Sequence, residues 1–426
     1  MAQWSRYNVP VGISNSEMLL FNIRTGALVR LSQERKNEME HPDLMEESFS
    51  SFLFKQGFLI PNDFDEVSAV TNDYEYVRQL KVSFSATLEL TEECNFRCSY
   101  CYQSHYPKHL DAVSEKRVLA FLIRKMRGVK RFHVNWFGGE PLLRVETLTR
   151  MSRSLAEQAE VEGCNFTQHI TTNGYLLTSE MAQQLAKLGV GNVQITLDGD
   201  KEAHDQLRQL VSKRGTYEKV LQGCENAVSV GIELIVRVNL SRINVNHIEG
   251  LIKDLNLHGI TGKNAIIHIV RAINHGNCDD KTADILYSNA EFSQKWIEIL
   301  QIVSDAGFSL PTLEPRGYNC TFDLDQTVMI YRDGHIGHCS SSNGYLADLD
   351  DHGNEINIGP LYAKIKNRNP GHDPKCRACQ YLPMCMGGCS YLQQIEQEKC
   401  NPEKYVLKEL IQLTAKQITA RDKVHC

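Results

Sequence analysis

Residues 94–101 read Cys94-Asn95-Phe96-Arg97-Cys98-Ser99-Tyr100-Cys101, which places three cysteines on one short stretch. Three thiolates with this spacing can hold three irons of a cubane iron–sulfur cluster and leave the fourth iron open to another ligand. The same spacing also suits a zinc site, or an iron–sulfur site that only transfers electrons. The stretch therefore predicts a metal centre, and its surroundings have to indicate which chemistry that centre performs.

Strand-like apolar runs alternate with helix-like periodic runs from about residue 83 onward. Alternation of this kind predicts parallel strands joined by right-handed crossovers. Six such units can curl into an open barrel, so the predicted fold class is α/β with a partial (β/α)6 barrel. The predicted strands span 84–90, 131–136, 166–171, 192–196, 233–238 and 265–270, and the predicted helices span 114–127, 147–162, 179–188, 216–230 and 247–257.

Polar and glycine-rich segments follow the predicted strands. The cysteine stretch follows the first strand, comparable segments follow the next three, and Arg237 and Asn239 close the fifth. Because active sites of barrels of this kind lie at the C-terminal ends of the strands, we expect all these segments on one rim. In chain order the later ones are Gly138-Gly139-Glu140-Pro141, Thr172-Asn173-Gly174, Asp198-Gly199, and Arg237 with Asn239.

The cysteine stretch with Tyr102 after it, and the later Gly138-Gly139-Glu140-Pro141, resemble the radical S-adenosylmethionine (SAM) enzymes. The resemblance implies that Cys94, Cys98 and Cys101 ligate a [4Fe–4S] cluster whose open iron binds SAM. It also implies that SAM is cleaved to methionine and a 5′-deoxyadenosyl radical, which takes a hydrogen from a substrate and ends as 5′-deoxyadenosine.

The same resemblance suggests which residues contact SAM. Tyr100 would lie beside the adenine, Gly138 and Gly139 would let the backbone approach the ligand, and Glu140 would pair with the methionyl ammonium. Core packing is the alternative for Tyr100. Other polar residues near strand ends would hold the ribose or the carboxylate, with a structural hydrogen bond as the alternative for each: Asn173, Thr196, Asp198, Arg237 and Asn239. His204, Asp205 and Arg208 resemble a stretch common in the subfamily, without an assigned role.

Seven further cysteines near the end of the chain resemble the SPASM extension of radical SAM enzymes, which carries two auxiliary [4Fe–4S] clusters. By that resemblance the outer cluster is bound by Cys376, Cys379, Cys385 and Cys400, and the inner cluster by Cys320, Cys339 and Cys389. The inner cluster is then one ligand short, since Gln326 stands where some relatives have a cysteine. An open iron could take a peptide thiolate, or Cys278 could complete the site. A zinc ribbon on four of these cysteines is the alternative.

Composition limits the other classes of protein. The chain has 426 residues, 42% hydrophobic and 23% charged, with a formal net charge of -6, so no basic field invites nucleic acid. No apolar run predicts a membrane span or a signal peptide, and we expect a cytoplasmic protein without a membrane partner. Disulfides are rare in the cytoplasm, so fourteen cysteines indicate metal binding or catalysis.

Four domains are predicted along the chain. An N-terminal α+β unit over 1–82 contains strands near 18–22 and 27–31, a helix near 42–55, a strand near 58–60 and an acidic linker over 62–76. This unit either binds a leader peptide by strand addition or only caps the barrel. The remaining domains are the barrel over 83–275, a helical bridge over 276–315, and a loop-rich iron–sulfur SPASM domain over 316–426.

The resemblance favours an oxidoreductase that modifies a ribosomally made peptide (a RiPP maturase) by forming a thioether or carbon–carbon crosslink. Its expected partners are a precursor peptide with a leader and an electron donor such as flavodoxin or ferredoxin. One alternative is an anaerobic sulfatase-type maturase that forms formylglycine. Two features weaken this alternative. Such enzymes tend to have an aspartate directly after the second SPASM cysteine, where this chain has Ser340, and they usually begin close to the cluster stretch, whereas 93 residues precede Cys94 here. The other alternative is a non-catalytic iron–sulfur electron carrier.

Overall fold

The computed structural model describes residues 2–40, 45–275, 284–342, 344–395 and 400–424. Within these ranges, no helix is both long enough and apolar enough to cross a membrane. The chain divides into two compact units, a smaller one over 1–79, 310–324 and 368–426 and a larger one over 80–309 and 325–367. Because a division by compactness does not measure independent folding, the four predicted domains stay a prediction.

The N-terminal part of the smaller unit is an α+β arrangement, as predicted. Apolar residues on its strands and on one helix share a core that includes Leu20, Leu31, Leu53 and Phe58. Its strands are β1 Ala2–Trp4, β2 Asn8–Gly12, β3 Glu17–Asn22, β4 Leu28–Ser32 and β5 Leu59–Pro61, and its helices are α1 Gln33–Glu40, α2 Glu47–Gln56 and α3 Glu66–Gln79. Strands β2, β3 and β4 form an antiparallel sheet, and β1 pairs with β5.

Helix α3 corrects one prediction, because it occupies most of the segment 62–76 that was expected to be a linker. Val67, Val70 and Tyr74 are buried along one side of the helix, at the three- and four-residue spacing of an amphipathic helix. The Asp65 side chain accepts hydrogen bonds from the backbone N–H groups of Val67 and Ser68, which caps the first turn. Of the acidic residues in this segment, Asp63 and Asp65 precede the helix, Asp73 is exposed on it and Glu66 is buried.

All six predicted barrel strands are present and run parallel in one sheet. Their side chains alternate between buried and less buried positions, most clearly in the fifth strand. They are β6 Ser83–Glu89, β8 Arg131–Phe137, β9 Asn165–Thr172, β10 Val190–Thr196, β12 Glu233–Leu240 and β13 Ala265–Arg271. The predicted α/β class with a large parallel sheet is confirmed.

Helices follow the strands as crossovers, and their apolar sides pack on the sheet. Phe84 on β6 stacks on Phe132 of β8 with ring centroids 5.6 Å apart, and the Phe121 ring meets Phe84 edge-on. The helices of this unit are α4 Ala112–Met126, α5 Val145–Glu162, α6 Ser179–Lys187, α7 Lys201–Leu207, α8 Tyr217–Ser229, α9 Ile248–Leu257 and α10 Asn289–Asp305. Two short strands, β7 Phe96–Cys98 and β11 Arg208–Leu210, pair with each other outside the sheet.

The larger unit also contains a segment that sequence analysis assigned to the C-terminal domain. Strand β14 pairs in parallel with β6, so it continues the barrel sheet beyond its first strand. Three antiparallel strands follow in the order of the chain. The elements of this segment are β14 Thr327–Ile330, β15 Ile336–Gly337, β16 Tyr345–Leu349, β17 Glu355–Ile356 and α11 Pro360–Lys366.

The C-terminal part of the smaller unit is built from short helices and loops, and it ends in one long helix. The helices are α12 Pro374–Arg377, α13 Leu382–Cys385, α14 Ser390–Ile395 and α15 Leu407–Val424. Gln412 on α15 donates a hydrogen bond to the Gly12 carbonyl of β2, 3.0 Å away, which joins the two ends of this unit.

Candidate active site

A cavity of about 270 Å³ lies at the carboxyl ends of the barrel strands, and Cys94, Cys98 and Cys101 all line it. Burial raises the pKa of the Cys94 thiol to about 12 and that of Cys98 to about 11, so a bound cation has to displace their protons. Among the described residues, no His, Cys, Asp or Glu side chains converge as they would on a single metal ion. Three thiols that line one cavity suit a cluster of several metal atoms.

The cysteine stretch is held in place by backbone pairing. Strand β7 carries Cys98 and pairs antiparallel with β11, with Cys98 opposite Arg208. The ribbon extends at one end, where the Ser99 N–H donates to the Leu207 carbonyl over 3.0 Å. These bonds fix the path of the loop that carries Cys94, Cys98 and Cys101, without involving the thiols themselves.

Gly138 and Gly139 line the cavity, and the fold allows no side chain at either position. Gly138 has a φ of +136°, and a Cβ there would overlap the Thr91 carbonyl oxygen. The Gly139 N–H donates to that same oxygen over 2.7 Å. The predicted close approach of backbone at this motif is therefore present, and the segment just before Cys94 packs directly against it.

Glu140 lies behind the cavity wall. Its carboxylate is fully buried and accepts hydrogen bonds from the Leu142 N–H, the Thr172 hydroxyl and the Asn173 N–H, over 2.7 to 2.9 Å. Burial raises its pKa, and these donors oppose the rise. Glu140 therefore ties the loop after β8 to the end of β9, and the structure gives it this structural role whether or not it also meets a ligand.

The Tyr100 hydroxyl is the centre of a buried hydrogen-bond network. It donates to the Asp198 carboxylate, and it accepts from Arg208 Nη1 over 2.8 Å and from Asn239 Nδ2 over 3.1 Å. The other Asp198 oxygen accepts from the Asn239 N–H at 2.7 Å. Asp198 is fully buried, whereas Tyr100, Arg208 and Asn239 line the cavity. The network therefore joins three of the predicted SAM contacts, Tyr100, Asp198 and Asn239. Its fourth member is Arg208, to which sequence analysis assigned no role.

The remaining predicted contacts, Asn173, Thr196 and Arg237, also line the cavity. Asn173 Nδ2 donates to the Asn95 side chain over 2.7 Å and lies 3.8 Å from Cys94 Sγ. Arg237 Nε donates to Asn239 Oδ1 over 3.0 Å. The predicted rim is therefore one continuous surface around the cysteines.

The charge of the cavity wall is positive. No Asp or Glu is among the described residues that line it, whereas Arg208, Arg237 and Arg271 are. Arg208 Nε is buried without a hydrogen-bond partner within the described part of the chain. A buried donor of this kind, in a wall with positive charges, suits an anionic group, and both an iron–sulfur cluster on three thiolates and the carboxylate of SAM are anionic.

Sequence analysis assigned no role to several other residues of the wall. The His275 ring lies 4.5 Å from that of Tyr102, and burial lowers its pKa to about 4, so the imidazole is neutral near pH 7. Ser340 and Ser341 could have been placed at the site from the sequence, because they directly follow Cys339. The residues in question are Tyr102, Gln103, His105, Arg271, His275, Ser340 and Ser341.

Four of the C-terminal cysteines lie together in the smaller unit. Burial, and then the nearby Cys400, Cys376 and Cys379 thiols, raise the pKa of Cys385 to about 11. Lys404 Nζ lies 3.6 Å from Cys400 Sγ. These four are the residues that the SPASM resemblance assigns to the outer cluster.

The other C-terminal cysteines are divided between the units. Cys320 and Cys389 belong to the smaller unit, and Cys339 belongs to the larger one. The Ser341 N–H donates to Cys339 Sγ over 3.4 Å. Cys278, the alternative fourth ligand of the inner cluster, lies outside the described residues.

Comparisons with known proteins bear on this site. Residues 88–255 match the model of the radical SAM superfamily. The chain is 33% identical over 152 residues to a GTP 3′,8-cyclase of Aliarcobacter butzleri, which is 34% of this chain and 43% of the cyclase, so it spans less than half of that relative. It is 23% identical over 335 residues to the mycofactocin maturase MftC of Mycobacterium tuberculosis, which is 74% of this chain and 80% of MftC.

Two solved structures share the fold. SuiB of Streptococcus suis, bound to the precursor peptide SuiA, superposes with a TM-score of 0.56 at 14% identity and covers 95% of this chain and 98% of its own. The protein anSMEcpe, bound to AdoMet and a peptide, superposes with a TM-score of 0.58 at 16% identity and covers 80% of this chain and 99% of its own. At these identities the likeness shows a common fold.

Proposed function

We propose that this chain, whose residues 88–255 form a radical SAM domain, is a maturase that takes a hydrogen from a ribosomally made precursor peptide and forms a thioether or carbon–carbon crosslink. The observation that carries the proposal is the single cavity at the strand ends. Its wall brings together the three cysteines, the two glycines after β8 and the network around Tyr100. An electron carrier without SAM chemistry has no need of such a cavity.

Cys94, Cys98 and Cys101 would hold the [4Fe–4S] cluster of this domain, and the wall around them would hold SAM. When bound, the cluster and SAM supply the one-electron chemistry that removes a hydrogen from the substrate. The chain's own residues position these groups and exclude water. We assign the SAM contacts to the predicted set, with Glu140 and Asp198 acting from behind the wall: Tyr100, Gly138, Gly139, Glu140, Asn173, Thr196, Asp198, Arg237 and Asn239.

A peptide substrate is supported by the relatives. MftC is named as a maturase, and SuiB was solved with a precursor peptide. SuiB also covers 95% of this chain, whereas anSMEcpe covers 80%, so the extra length of this chain has a counterpart in a protein that binds a precursor. The region 1–82 would bind the leader. Within the described ranges the outer edge of β4 has no strand partner, so a leader could add there as a further strand.

Two auxiliary [4Fe–4S] clusters would serve the second half of the reaction. Forming a crosslink removes two electrons from the peptide, and one of them leaves with the abstracted hydrogen atom. The second could leave through clusters of the SPASM type. Cys376, Cys379, Cys385 and Cys400 would hold the outer cluster, in line with their proximity. Cys320, Cys339 and Cys389 would hold the inner one.

A sulfatase-type maturase is the second candidate, because anSMEcpe shares the fold. Ser340 argues against it. This residue lines the cavity at the position where the sulfatase maturases tend to have an aspartate, and no Asp or Glu is among the described residues of the wall that could act as the base instead.

The test is anaerobic coexpression of the chain with a short peptide encoded beside it, followed by mass spectrometry of the peptide. A loss of two hydrogens with fragmentation suppressed between two residues is the expected result, and blocked thiol alkylation would indicate a thioether. The Cys94→Ala/Cys98→Ala/Cys101→Ala variant is the control and should leave the peptide unchanged. An unchanged peptide with wild-type protein that still releases 5′-deoxyadenosine would overturn the peptide assignment and favour a protein substrate.

A further inference from the structure

Buried hydrogen bonds hold the backbone of Arg208, whose side chain lines the candidate active site. His204 is fully buried, its Nδ1 accepts from the Asp198 N–H over 3.3 Å, and its Nε2 contacts the Thr216 hydroxyl at 3.0 Å. The Thr216 hydroxyl in turn donates to the Arg208 carbonyl over 2.6 Å. These bonds define a neutral histidine that carries its proton on Nε2. Burial lowers the pKa of His204 well below 6.5, which agrees with that state.

Asp205 completes the frame. Its Oδ1 accepts from the N–H groups of Thr216 and Tyr217, over 2.6 and 2.9 Å, and so closes the segment between α7 and α8. A Cβ at Gly215 would overlap the Asp205 carboxylate, so the loop also depends on that glycine. Within the stretch 204–208, His204 and Asp205 therefore build a scaffold, and Arg208 is the residue that this scaffold positions at the cavity.

The delivered guanidinium is a permanent positive charge beside a cluster cysteine. The Arg208 side chain is 8% exposed, and its Nη1 lies 4.0 Å from the Asp198 carboxylate. Its guanidinium also lies over the Phe96 ring, 5.5 Å from the centroid. Across the β7–β11 ribbon Arg208 is the partner of Cys98, and both residues line the cavity. An arginine guanidinium keeps its positive charge across the physiological pH range.

We propose that Arg208 is a positioning residue that holds Tyr100 in place and raises the reduction potential of the cluster on Cys94, Cys98 and Cys101. Adding one electron makes the cluster more negative, and a nearby positive charge stabilises that state. Net charge, hydrogen bonds and exposure are the levers by which proteins set such potentials. The electron comes from an external one-electron donor, and no bond is made or broken in this step.

The proposal rests on the radical SAM chemistry of the proposed function but not on its peptide substrate. The experiment is a redox titration with dithionite of the reconstituted full-length protein, followed by electron paramagnetic resonance. The cluster in question is identified as the one whose signal changes when SAM is added. Since no peptide is needed, a failure of peptide modification and a failure of this proposal are separate results.

Two variants shift the potential in opposite directions if the proposal is correct. Arg208→Gln should make the midpoint potential of the SAM-responsive cluster more negative. Asp198→Asn, which removes the opposing charge, should make it less negative. Arg208→Lys keeps the charge and should lie between wild type and Arg208→Gln. Arg150→Gln, which removes an exposed guanidinium paired with Glu115, is the matched control and should leave the potential unchanged.

Iron content and a thermal melt of each variant show whether it folds and loads its clusters. If Arg208→Gln does not load, Asp198→Asn and Arg208→Lys still test the sign of the effect. Unchanged potentials in the loaded variants would overturn the proposal. So would a weaker affinity for SAM with no change in potential, since Arg208 would then be a ligand of SAM and not a charge that acts on the cluster.

Discussion

The Arg332 guanidinium lies 3.0 Å from the Glu89 carboxylate, although 243 residues separate them in the chain. The same guanidinium lies 2.5 Å from Glu92. Glu89 ends β6, and Glu92 stands two residues before Cys94, while Arg332 follows β14. One side chain therefore fastens the added strand to the start of the cysteine stretch, at the point where β14 pairs with β6.

We predict that Arg332→Met destabilises the protein by about 3 kcal/mol, because it leaves two buried carboxylates without their counter-charge. The side chains are well covered, with 19% of Arg332 and 6% of Glu89 exposed. Urea denaturation of the metal-free protein measures the effect. Arg117→Met removes the exposed pair with Asp351 and is the control, which should cost less than about 1 kcal/mol. Equal costs for the two variants would contradict the prediction.

The Arg332→Met deficit should also depend on pH. Burial raises the pKa of Glu89, and Arg332 opposes that rise, so the variant raises it further. A carboxyl whose pKa is raised in the folded state favours folding below the ordinary value of 4.5 and loses this contribution as pH rises through the folded value. The deficit relative to wild type should therefore be smaller at about pH 5 than at about pH 8.

His204→Gln tests the frame behind Arg208. Because burial holds the pKa of His204 well below 6.5, the folded protein binds fewer protons than the unfolded chain once the pH falls below that value. Wild-type stability is thus fully present above about pH 6.5 and declines below it. The variant should be about 1–3 kcal/mol less stable at about pH 7.5, where two buried hydrogen bonds are lost. The gap should narrow at about pH 5.5, as measured by denaturant titration, and a constant gap would contradict the charge state assigned to His204.

Local patterns in the sequence were sufficient for the barrel strands. In β12 the buried positions alternate strictly, and the pattern is visible in the residues themselves. Helix α3 was missed because the acidic residues of the segment 62–76 suggested a linker, while the apolar positions that decide the packing of the helix are few. The partner of β6 was also missed, because β14 pairs with it over more than two hundred residues of chain.

The residues of the candidate site also divide into those that local sequence patterns indicate and those that depend on contacts formed in the fold. Cys98, Gly138 and Asp198 could be predicted because each stands in a short motif at a strand end. The role of Arg208 could not, since its contact with Tyr100 joins residues 108 positions apart and depends on the pairing of β7 with β11. The glycine motif indicated that Glu140 belongs to the site. It did not indicate the three groups that donate hydrogen bonds to its carboxylate, because the fold brings them to it.

Gly139→Ala should weaken SAM binding strongly. A Cβ at this position would overlap the carbonyl oxygens of Glu92 and Glu93, and these belong to backbone that cannot move away cheaply. The segment before Cys94 would have to shift, and with it the cysteines proposed to hold the cluster. Isothermal titration of the reconstituted protein with SAM measures the effect, which we expect to be at least about tenfold, or 1.4 kcal/mol.

Gly191→Ala is the matched control for this change. Gly191 lies on β10, and the nearest atom to a Cβ built there is the Gln168 carbonyl oxygen at 3.9 Å, an ordinary contact. Its SAM affinity should equal that of wild type. If Gly139→Ala binds SAM as tightly as this control, the close packing at the glycine motif is not needed for the ligand.

Cys385→Ala tests whether the four grouped cysteines of the smaller unit hold a cluster. Removing one of four thiolates should release about four irons per chain. The barrel cysteines are untouched, so reductive cleavage of SAM to 5′-deoxyadenosine should persist, while peptide modification should fall because the second electron has lost its path. Iron and zinc analysis of the purified protein measures the outcome. Cys224→Ala, at a fully buried position on α8, is the control and should keep its iron. Unchanged iron in Cys385→Ala together with a loss of about one zinc would instead identify these four residues as a zinc ribbon.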